Sequence, residues 1–521
     1  MSDMDILLIY PQLGSWDDVL RDIPLSLIYA ATHSVKRGFK VQIVDLRLWG
    51  DNWRQAIAPV LQEGCSLVGL SVMTGNPINT SLRISRYIKD KYEVPIVWGG
   101  PHPTILPEQT LENPYIDFVI RDWGSKALCQ LVEHLKGGPV GKEEILGLGY
   151  KENGQVRLSP PQTCFEMLDF RDLPYHLVDI SGENYNRLKS GDLLFPIYTS
   201  MGCPYQCNFC MAPAVYEKIK SKKWVAYDAD YVLDHIQYLA SRYQFNRLQV
   251  YDDESFVDLD RMYNLLTGYI KRGFNKKFKL DFRGVRINDL DRMDDDYFRL
   301  LVEAGVEFMA IGMESGSPRI LKLMNKGITV DQIIRVNWRL ARYPSLKPHY
   351  NFFCGIPGET IESLIETKEL LLQLVKEHPT CYLGYGAHWK PIPGSVLAEV
   401  AVKDYGLKLP SSLEEWVAID TFDSAPPVYP WYTPKMRNMI ALLAVAGMVL
   451  DHKAKDMTGN LGPVLGRMVY YLVVLYRPLL RLRLRFNFTG LLLEAKLRDI
   501  SIHNLGKLLS SRGKERTAAV R

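Results

Sequence analysis

Cys203-Pro204-Tyr205-Gln206-Cys207-Asn208-Phe209-Cys210 places three cysteines within eight positions, directly after the apolar run Leu194–Ser200. Three thiolates on one short loop can bind three irons of a four-iron cubane. Such clusters are usually held by four cysteines, so a triad leaves one iron open to a further ligand. Two plainer readings stand beside this one. Cysteines pack well as small hydrophobes, and zinc accepts thiolate ligands. Structural zinc takes four ligands, however, and no second CxxC pair or HxxxH follows in the sequence. A zinc site would need a distant fourth ligand.

An alternating series runs outward from this motif. Strand candidates are Leu194–Ser200, Arg247–Asp253, Lys279–Val285, Phe308–Ser315, His349–Ile356 and Cys381–His388. Helical stretches separate them: Asp230–Arg242, Leu259–Lys271, Met293–Ala304, Thr329–Arg342 and Thr360–Glu377. Six βα units over residues 191–400 predict a partial barrel with its chemistry at the C-terminal mouth. A second series lies upstream, with strand candidates Asp5–Tyr10, Lys40–Leu46, Leu67–Met73, Pro95–Gly100 and Phe118–Asp122, and helices such as Pro24–Arg37 and Pro77–Lys91. These strands are nearly continuous in Ile, Val and Leu, as in a parallel sheet covered on both faces. Residues 1–140 therefore read as a doubly wound α/β domain, with ligands at the carboxyl ends of its strands. Gly137, Gly138, Pro139 and Gly141 mark a break. Residues 141–190 read as an irregular connector, and 401–521 as a mostly helical C-terminal region.

Composition bounds the rest. The 521 residues suffice for roughly three domains at about 150 residues each. A net charge of +4 is too small to argue for nucleic acid. Of eight cysteines, three crowd the motif and five are scattered, which suits a reduced cytosol with one metal site rather than a disulfide framework. MSDMDILLIYPQ has no basic n-region or cleavage site, so no signal peptide is expected. The longest apolar run, Met439–Leu450, has 12 residues against the about 20 of a spanning helix, so no transmembrane segment is expected either.

The motif resembles the radical S-adenosylmethionine (SAM) superfamily, whose CxxxCxxC pattern carries an aromatic before the last cysteine; Phe209 fills that place. The resemblance implies a [4Fe–4S] cluster on Cys203, Cys207 and Cys210. It also implies SAM on the open iron, and reductive cleavage of SAM to a 5′-deoxyadenosyl radical. Other signals fall in the family's order. Tyr251-Asp252-Asp253-Glu254 resembles the acidic stretch near the SAM ammonium, although Asp252 or Asp253 would equally serve as a helix N-cap. Arg283 or Arg286 would pair with the SAM carboxylate, since arginine suits planar anions; a surface salt bridge is the alternative. Gly312-Met313-Glu314-Ser315-Gly316 looks like the GxESG signature. Gly355-Ile356-Pro357-Gly358-Glu359-Thr360 looks like the GxPGET turn, where Gly355 and Gly358 would let backbone approach the adenine. Pro391-Ile392-Pro393-Gly394 fits the stretch near substrate.

The N-terminal series resembles the cobalamin-binding domain fused ahead of many radical SAM barrels, in Ser71-Val72-Met73-Thr74-Gly75-Asn76 and in Gly99-Gly100-Pro101-His102-Pro103. The resemblance implies cobalamin contacts from Ser71, Thr74, Gly75, Asn76, Gly99, Gly100 and His102; His102 would alternatively only cap its turn. A regulatory or purely structural flavodoxin-like (Rossmann-like) domain is the plainer reading. Two departures stand out. Tyr10-Pro11-Gln12-Leu13-Gly14 replaces the DxHxxG motif that supplies a cobalt-ligating histidine, so the lower face would meet the loop 74–76. Arg121-Asp122-Trp123-Gly124-Ser125 replaces the acidic RGEGE turn. His33 reads as an ordinary helix residue.

The expected whole is a flavodoxin-like cobalamin domain, a partial (β/α)6 TIM-like barrel and a helical C-terminal region. The resemblance implies methylation of an unactivated carbon of a small molecule lying between corrin and cluster, with a second SAM remethylating the cobalamin. An external one-electron reductant of flavodoxin or ferredoxin type would be needed. No acid or base is singled out. Arg477, Arg481 and Arg485 lie four apart as on one helical face, while Arg481, Arg483 and Arg485 also alternate as in a strand, beyond the apolar stretch Met468–Tyr476. They would lie at lipid headgroups if this region touches a membrane surface, or form a solvated face packed by its leucines. Membrane contact would favour a lipid or isoprenoid substrate, with the protein cytoplasmic and at the surface. The rivals are a ring- or C–C bond-forming enzyme acting on a lipid or tetrapyrrole, and a non-catalytic cobalamin or redox sensor. A tRNA methylthiotransferase is a third, but needs three N-terminal cysteines where only Cys65 and Cys129 occur.

Overall fold

A computed structural model describes residues 4–14, 17, 21–180, 184–185, 191–419, 428–451 and 463–495. Five parallel strands open the chain: β1 (Met4–Tyr10), β2 (Val41–Asp45), β3 (Cys65–Ser71), β4 (Ile96–Gly99) and β5 (Phe118–Ile120). They pair in the order β2-β1-β3-β4-β5. Alternate side chains go to opposite faces of the sheet, and here both faces are buried. Ile6, Leu8, Leu67 and Val97 join one core with Leu27, Ala31, Leu128 and Leu131 of the helices Leu25–Lys36 and Gly124–Leu135. Leu7, Ile9, Val68, Leu70 and Trp98 join another with Ile57, Ile78, Ile84 and Ile88 of the helices Trp53–Glu63 and Asn76–Tyr92. This double covering explains the unbroken apolar strands and gives the expected doubly wound domain.

The stretch 141–190 is not wholly irregular. β6 (Leu148–Glu152) and β7 (Gln155–Leu158) form a hairpin that adds antiparallel to β5. Its turn is Asn153-Gly154, with φ of 51° and 76°, the left-handed pair that a two-residue type I′ hairpin requires.

The second sheet runs β8 (Leu194–Ile197), β11 (Arg247–Val250), β12 (Lys279–Arg286), β13 (Val306–Glu314), β14 (Lys347–Cys354) and β15 (Tyr382–Leu383), all parallel, with β16 (Ala387–His388) further along β14. It is the expected partial barrel. Even-numbered residues of β14 are buried beneath helices while odd ones face the lumen. At the N-terminal end the lumen is closed by ions: Arg247 donates to Asp281 at 2.7 Å, Asp192 at 3.0 Å and Glu307 at 2.6 Å. The sixth strand is broken between β15 and β16 because the helix Pro434–Val449 lies on it; a side chain at Gly447 would overlap the Gly384 carbonyl oxygen. A short antiparallel ladder, β9 (Ser200–Gly202) with β10 (Trp224–Ala226), clasps the excursion that carries the cysteine triad. From the C-terminal region, Leu413 and Trp416 pack into the core of the first domain, and the helix Pro434–Val449 packs into that of the barrel.

Candidate active site

The cysteine loop hangs from the carboxyl end of β8 and is fixed at several points. Asp252, just past β11, is buried and accepts four hydrogen bonds: from Thr199 N (2.7 Å), Ser200 N (3.1 Å), Thr199 Oγ1 (2.5 Å) and Ser200 Oγ (2.8 Å). Both its oxygens are thus spent on the start of the loop. Asn208 donates through its backbone to Met324 O and through its side chain to Leu323 O, and Asn325 donates to Gln206 O. Cys207 is buried, and Cys203 and Cys210 are half-buried. Burial pushes the Cys203 thiol up to about 12 and Cys210 up to about 11. Such thiols ionise only beside strong positive charge, which iron supplies. Arg286 donates to Cys207 Sγ at 3.2 Å and lies over the Tyr205 ring. Among the described residues no three His, Cys, Asp or Glu side chains converge on one point as a single ion needs. Three thiolates on one anchored loop, with Arg286 donating to one of them, are the donors that a three-cornered cluster would take.

The remaining barrel candidates separate into distinct settings. Asp253 accepts from the Tyr216 hydroxyl. Glu254 is buried next to Asp289; burial and that second carboxyl push it well up. Glu314 is held in the left-handed region at φ 63° and pairs with Lys326 Nζ at 2.7 Å, both side chains being buried. Lys326 also approaches the Phe209 ring at 5.7 Å, and Phe209 packs edge-on to Phe353. Arg283 stands apart from Arg286, its guanidinium near the Tyr251 and Phe308 rings at 5.9 and 5.5 Å. Gly355 and Gly358 have φ of 90° and 81°. On the side where Gly355 would carry a Cβ, the Tyr432 hydroxyl is packed against it. Tyr432 OH and Trp431 Nε1 both donate to Gly355 O at 3.2 Å. The C-terminal region packed on it thus requires glycine at 355.

A cavity of about 320 Å³ lies where the two sheets meet. One wall is the carboxyl edge of the first sheet, with Ser71, Gly99 and Gly100; the other is Tyr198, Gly202, Tyr216, Tyr251 and Asp253 around the root of the cysteine loop. Gly100 has φ 100°, and a side chain on it would press on Val72 N and O at 2.9 Å. Tyr251 donates across the junction to Asp22 of the first domain. Thr74, Gly75, Asn76 and His102 do not line this cavity. Thr74 Oγ1 and His102 Nδ1 are 3.0 Å apart, and His102 is fully buried, edge-on to Trp416. Burial lowers His102 to about 4, so it is neutral and turned into the core. Asn76 closes against Gly14. Asp122, Trp123, Gly124 and Ser125, the replacement for the acidic turn, do line the cavity. His33 is more than a helix surface residue: its Nδ1 lies 3.0 Å from Ser125 Oγ and 3.4 Å from Glu166, both in the cavity wall.

Residues 197–371 match the Radical SAM superfamily and residues 20–132 match the B12 binding domain. The chain belongs to the cobalamin-binding radical SAM enzymes. The enzyme uses a [4Fe–4S] cluster, SAM and cobalamin. It is similar to an uncharacterized methyltransferase of Pyrococcus horikoshii, 29% identical over 81% of this chain and 88% of the relative. It is also similar to the cytidylyl-2-hydroxyethylphosphonate methyltransferase of Streptomyces wedmorensis, 24% identical over 66% and 71%. An anaerobic magnesium-protoporphyrin IX monomethyl ester cyclase of Rubrivivax gelatinosus is 24% identical over 53% of this chain and 49% of its own. Among solved structures, the enzyme shares its fold with the radical SAM methyltransferase TsrM of Kitasatospora setae (TM-score 0.62, 21% identity, 78% and 77% covered). It also shares it with the cobalamin-dependent radical enzyme OxsB (TM-score 0.67, 17% identity, 99% and 80% covered).

Lys326, Tyr198, Tyr216, Tyr251 and Glu166 were not singled out from the sequence as site residues. Lys326 had one readable signal, a lysine in the turn Asn325-Lys326-Gly327 between apolar helices. Tyr251 stands at the head of the acidic stretch 251–254, whereas Tyr198, Tyr216 and Glu166 had no signal, since only the meeting of two sheets makes them neighbours.

Proposed function

We propose that the enzyme cleaves SAM at a cluster held by Cys203, Cys207 and Cys210 and methylates an unactivated carbon of a small molecule, a lipid or isoprenoid if the C-terminal region contacts a membrane surface. When bound, the cluster and SAM supply a 5′-deoxyadenosyl radical, and cobalamin supplies the methyl group. The chain's own residues do the rest. Asp252 and Asn208 hold the loop rigid, Arg286 donates to Cys207 Sγ, and Arg286 or Arg283 would meet the SAM carboxylate. Ser71, Gly99 and Gly100 would face the corrin. Tyr198, Tyr216 and Tyr251 wall the shared space and exclude water, which protects a radical from quenching. The observation that supports this reading best is the cavity: the strand ends expected to carry cobalamin and the root of the cluster loop open on the same space.

The test is anaerobic purification with cobalamin and iron, then a reaction with SAM, a flavodoxin-type reductant and lipid extract from cells lacking the protein. Formation of 5′-deoxyadenosine together with a product heavier by CH2 is expected. A product that has only lost hydrogen would instead align the enzyme with its cyclase relatives, and no 5′-deoxyadenosine would sink both readings.

A further inference from the structure

Among the described residues, the helix Pro463–Arg485 carries an exposed apolar face. It is anchored on one side. Leu480 and Leu484 are buried against the barrel core. Arg477 donates to Val449 O at 2.6 Å, at the end of the helix Pro434–Val449. Lys368 Nζ, itself buried, donates to Leu484 O at 3.0 Å and so caps its last turn. The opposite side is apolar and open. Val464, Met468, Tyr471, Leu472, Leu475, Leu479, Leu482 and Phe486 are each 53–75% exposed. At 3.6 residues per turn all eight fall within an arc of about 100°. Phe488, Leu491 and Leu493 extend this surface. Half of the exposed large hydrophobic side chains of the described residues lie in these thirty positions. Contiguous apolar surface on this scale marks a contact.

Charge says which contact. The helix has five arginines and no acidic residue. Arg467, Arg481 and Arg485 are exposed, and their positions run along one edge of the apolar arc. Arg477 and Arg483 are occupied inward, by backbone oxygens and by Glu494. An apolar stripe edged by cations suits the boundary between acyl chains and anionic headgroups, with the arginines at headgroup level. No described helix is long and apolar enough to cross a membrane, so the helix would lie in the surface plane. We infer that this face docks the enzyme on an anionic lipid bilayer. The inference stands whether or not the reaction is a methylation.

Full-length enzyme is mixed with vesicles of phosphatidylcholine alone or of phosphatidylcholine with an equal part of phosphatidylglycerol, then floated on a density gradient. Flotation with the anionic vesicles is expected, weakened at high salt. The exposed double variant L475D/L479D should lower the bound fraction at least about tenfold, whereas W338D, at an exposed aromatic elsewhere, should not. Both variants should keep the parent's melting temperature. If the enzyme stays with neither vesicle, the inference is overturned. Sedimentation equilibrium would then tell whether a second copy covers the face, since L475D/L479D would break such a dimer.

Discussion

Asp252 shows how a carboxylate in the expected place can do a different job from the expected one. Placed by sequence near the SAM ammonium, it holds four donors of Thr199 and Ser200. Removing it would strand these donors in a buried site, at about 1–3 kcal/mol for an unpaired group. D252A should therefore melt lower and also take up less iron on reconstitution, whereas C203S should lose iron with its melting temperature nearly unchanged. Equal melting of D252A and the parent would remove the positioning role. Glu359 offers a pH test. Burial raises its carboxyl from 4.5 to about 7, although it accepts from Gly355 N. The folded state thus favours the protonated form. Below pH 4.5 the residue has no effect on pH dependence. As pH rises from there to about 7 the unfolded chain releases a proton that the folded one keeps, and stability falls by up to roughly 3 kcal/mol. E359Q should melt above the parent at pH 8 and no higher at pH 5; a constant difference between the two would discard the shift. Roles of single residues were the least legible from sequence. The motif located Glu314, but its left-handed backbone at the end of β13 and its partner Lys326, in the turn past the helix Pro318–Leu323, do not follow from any local spacing.

At the scale of elements, close backbone approach decides what periodicity does not. Cys381–His388 has the apolar content of one strand, yet it breaks at Gly384 and Gly386 because a helix lies across it. Gly386 has φ 61°, and a side chain at Gly447 would overlap Gly384 O. G447A should cost about 1–3 kcal/mol by overpacking, read as a lower melting temperature; an unchanged value would mean that the helix can slide away. The parallel strands were legible because burial on both faces leaves a continuous run of Ile, Val and Leu. The hairpin β6–β7 was missed although Asn153-Gly154 announces it, since prolines at 160, 161 and 174 drew the whole stretch into one irregular connector. The arginines of the last helix were grouped by spacing as Arg477, Arg481 and Arg485. Packing instead turns Arg477 inward and leaves Arg467 with the other two outside.

For the whole molecule, the junction between the sheets is what the sequence conceals, because its walls come from residues as far apart in the chain as Ser26 and Asp253. Ser26, on the helix Leu25–Lys36, lies 3.4 Å from Ser71 Oγ and lines the cavity from the side of the first domain. Its hydroxyl lies beside Ser71 of the first domain rather than at the cysteines, so its replacement should leave Cys203, Cys207 and Cys210 in place. S26W would place an indole in a space of about 320 Å³ and compete directly with any corrin there. The reconstituted variant should lose the corrin absorbance by at least about tenfold in occupancy, in line with 1.4 kcal/mol or more of lost binding, and keep its iron–sulfur absorbance. Full corrin occupancy in S26W would place cobalamin elsewhere on the first domain. Loss of iron with corrin retained would show that the cavity belongs to the cluster side alone. Only the first pattern, corrin lost and iron kept, fits a space in which two cofactors reach one substrate from opposite walls.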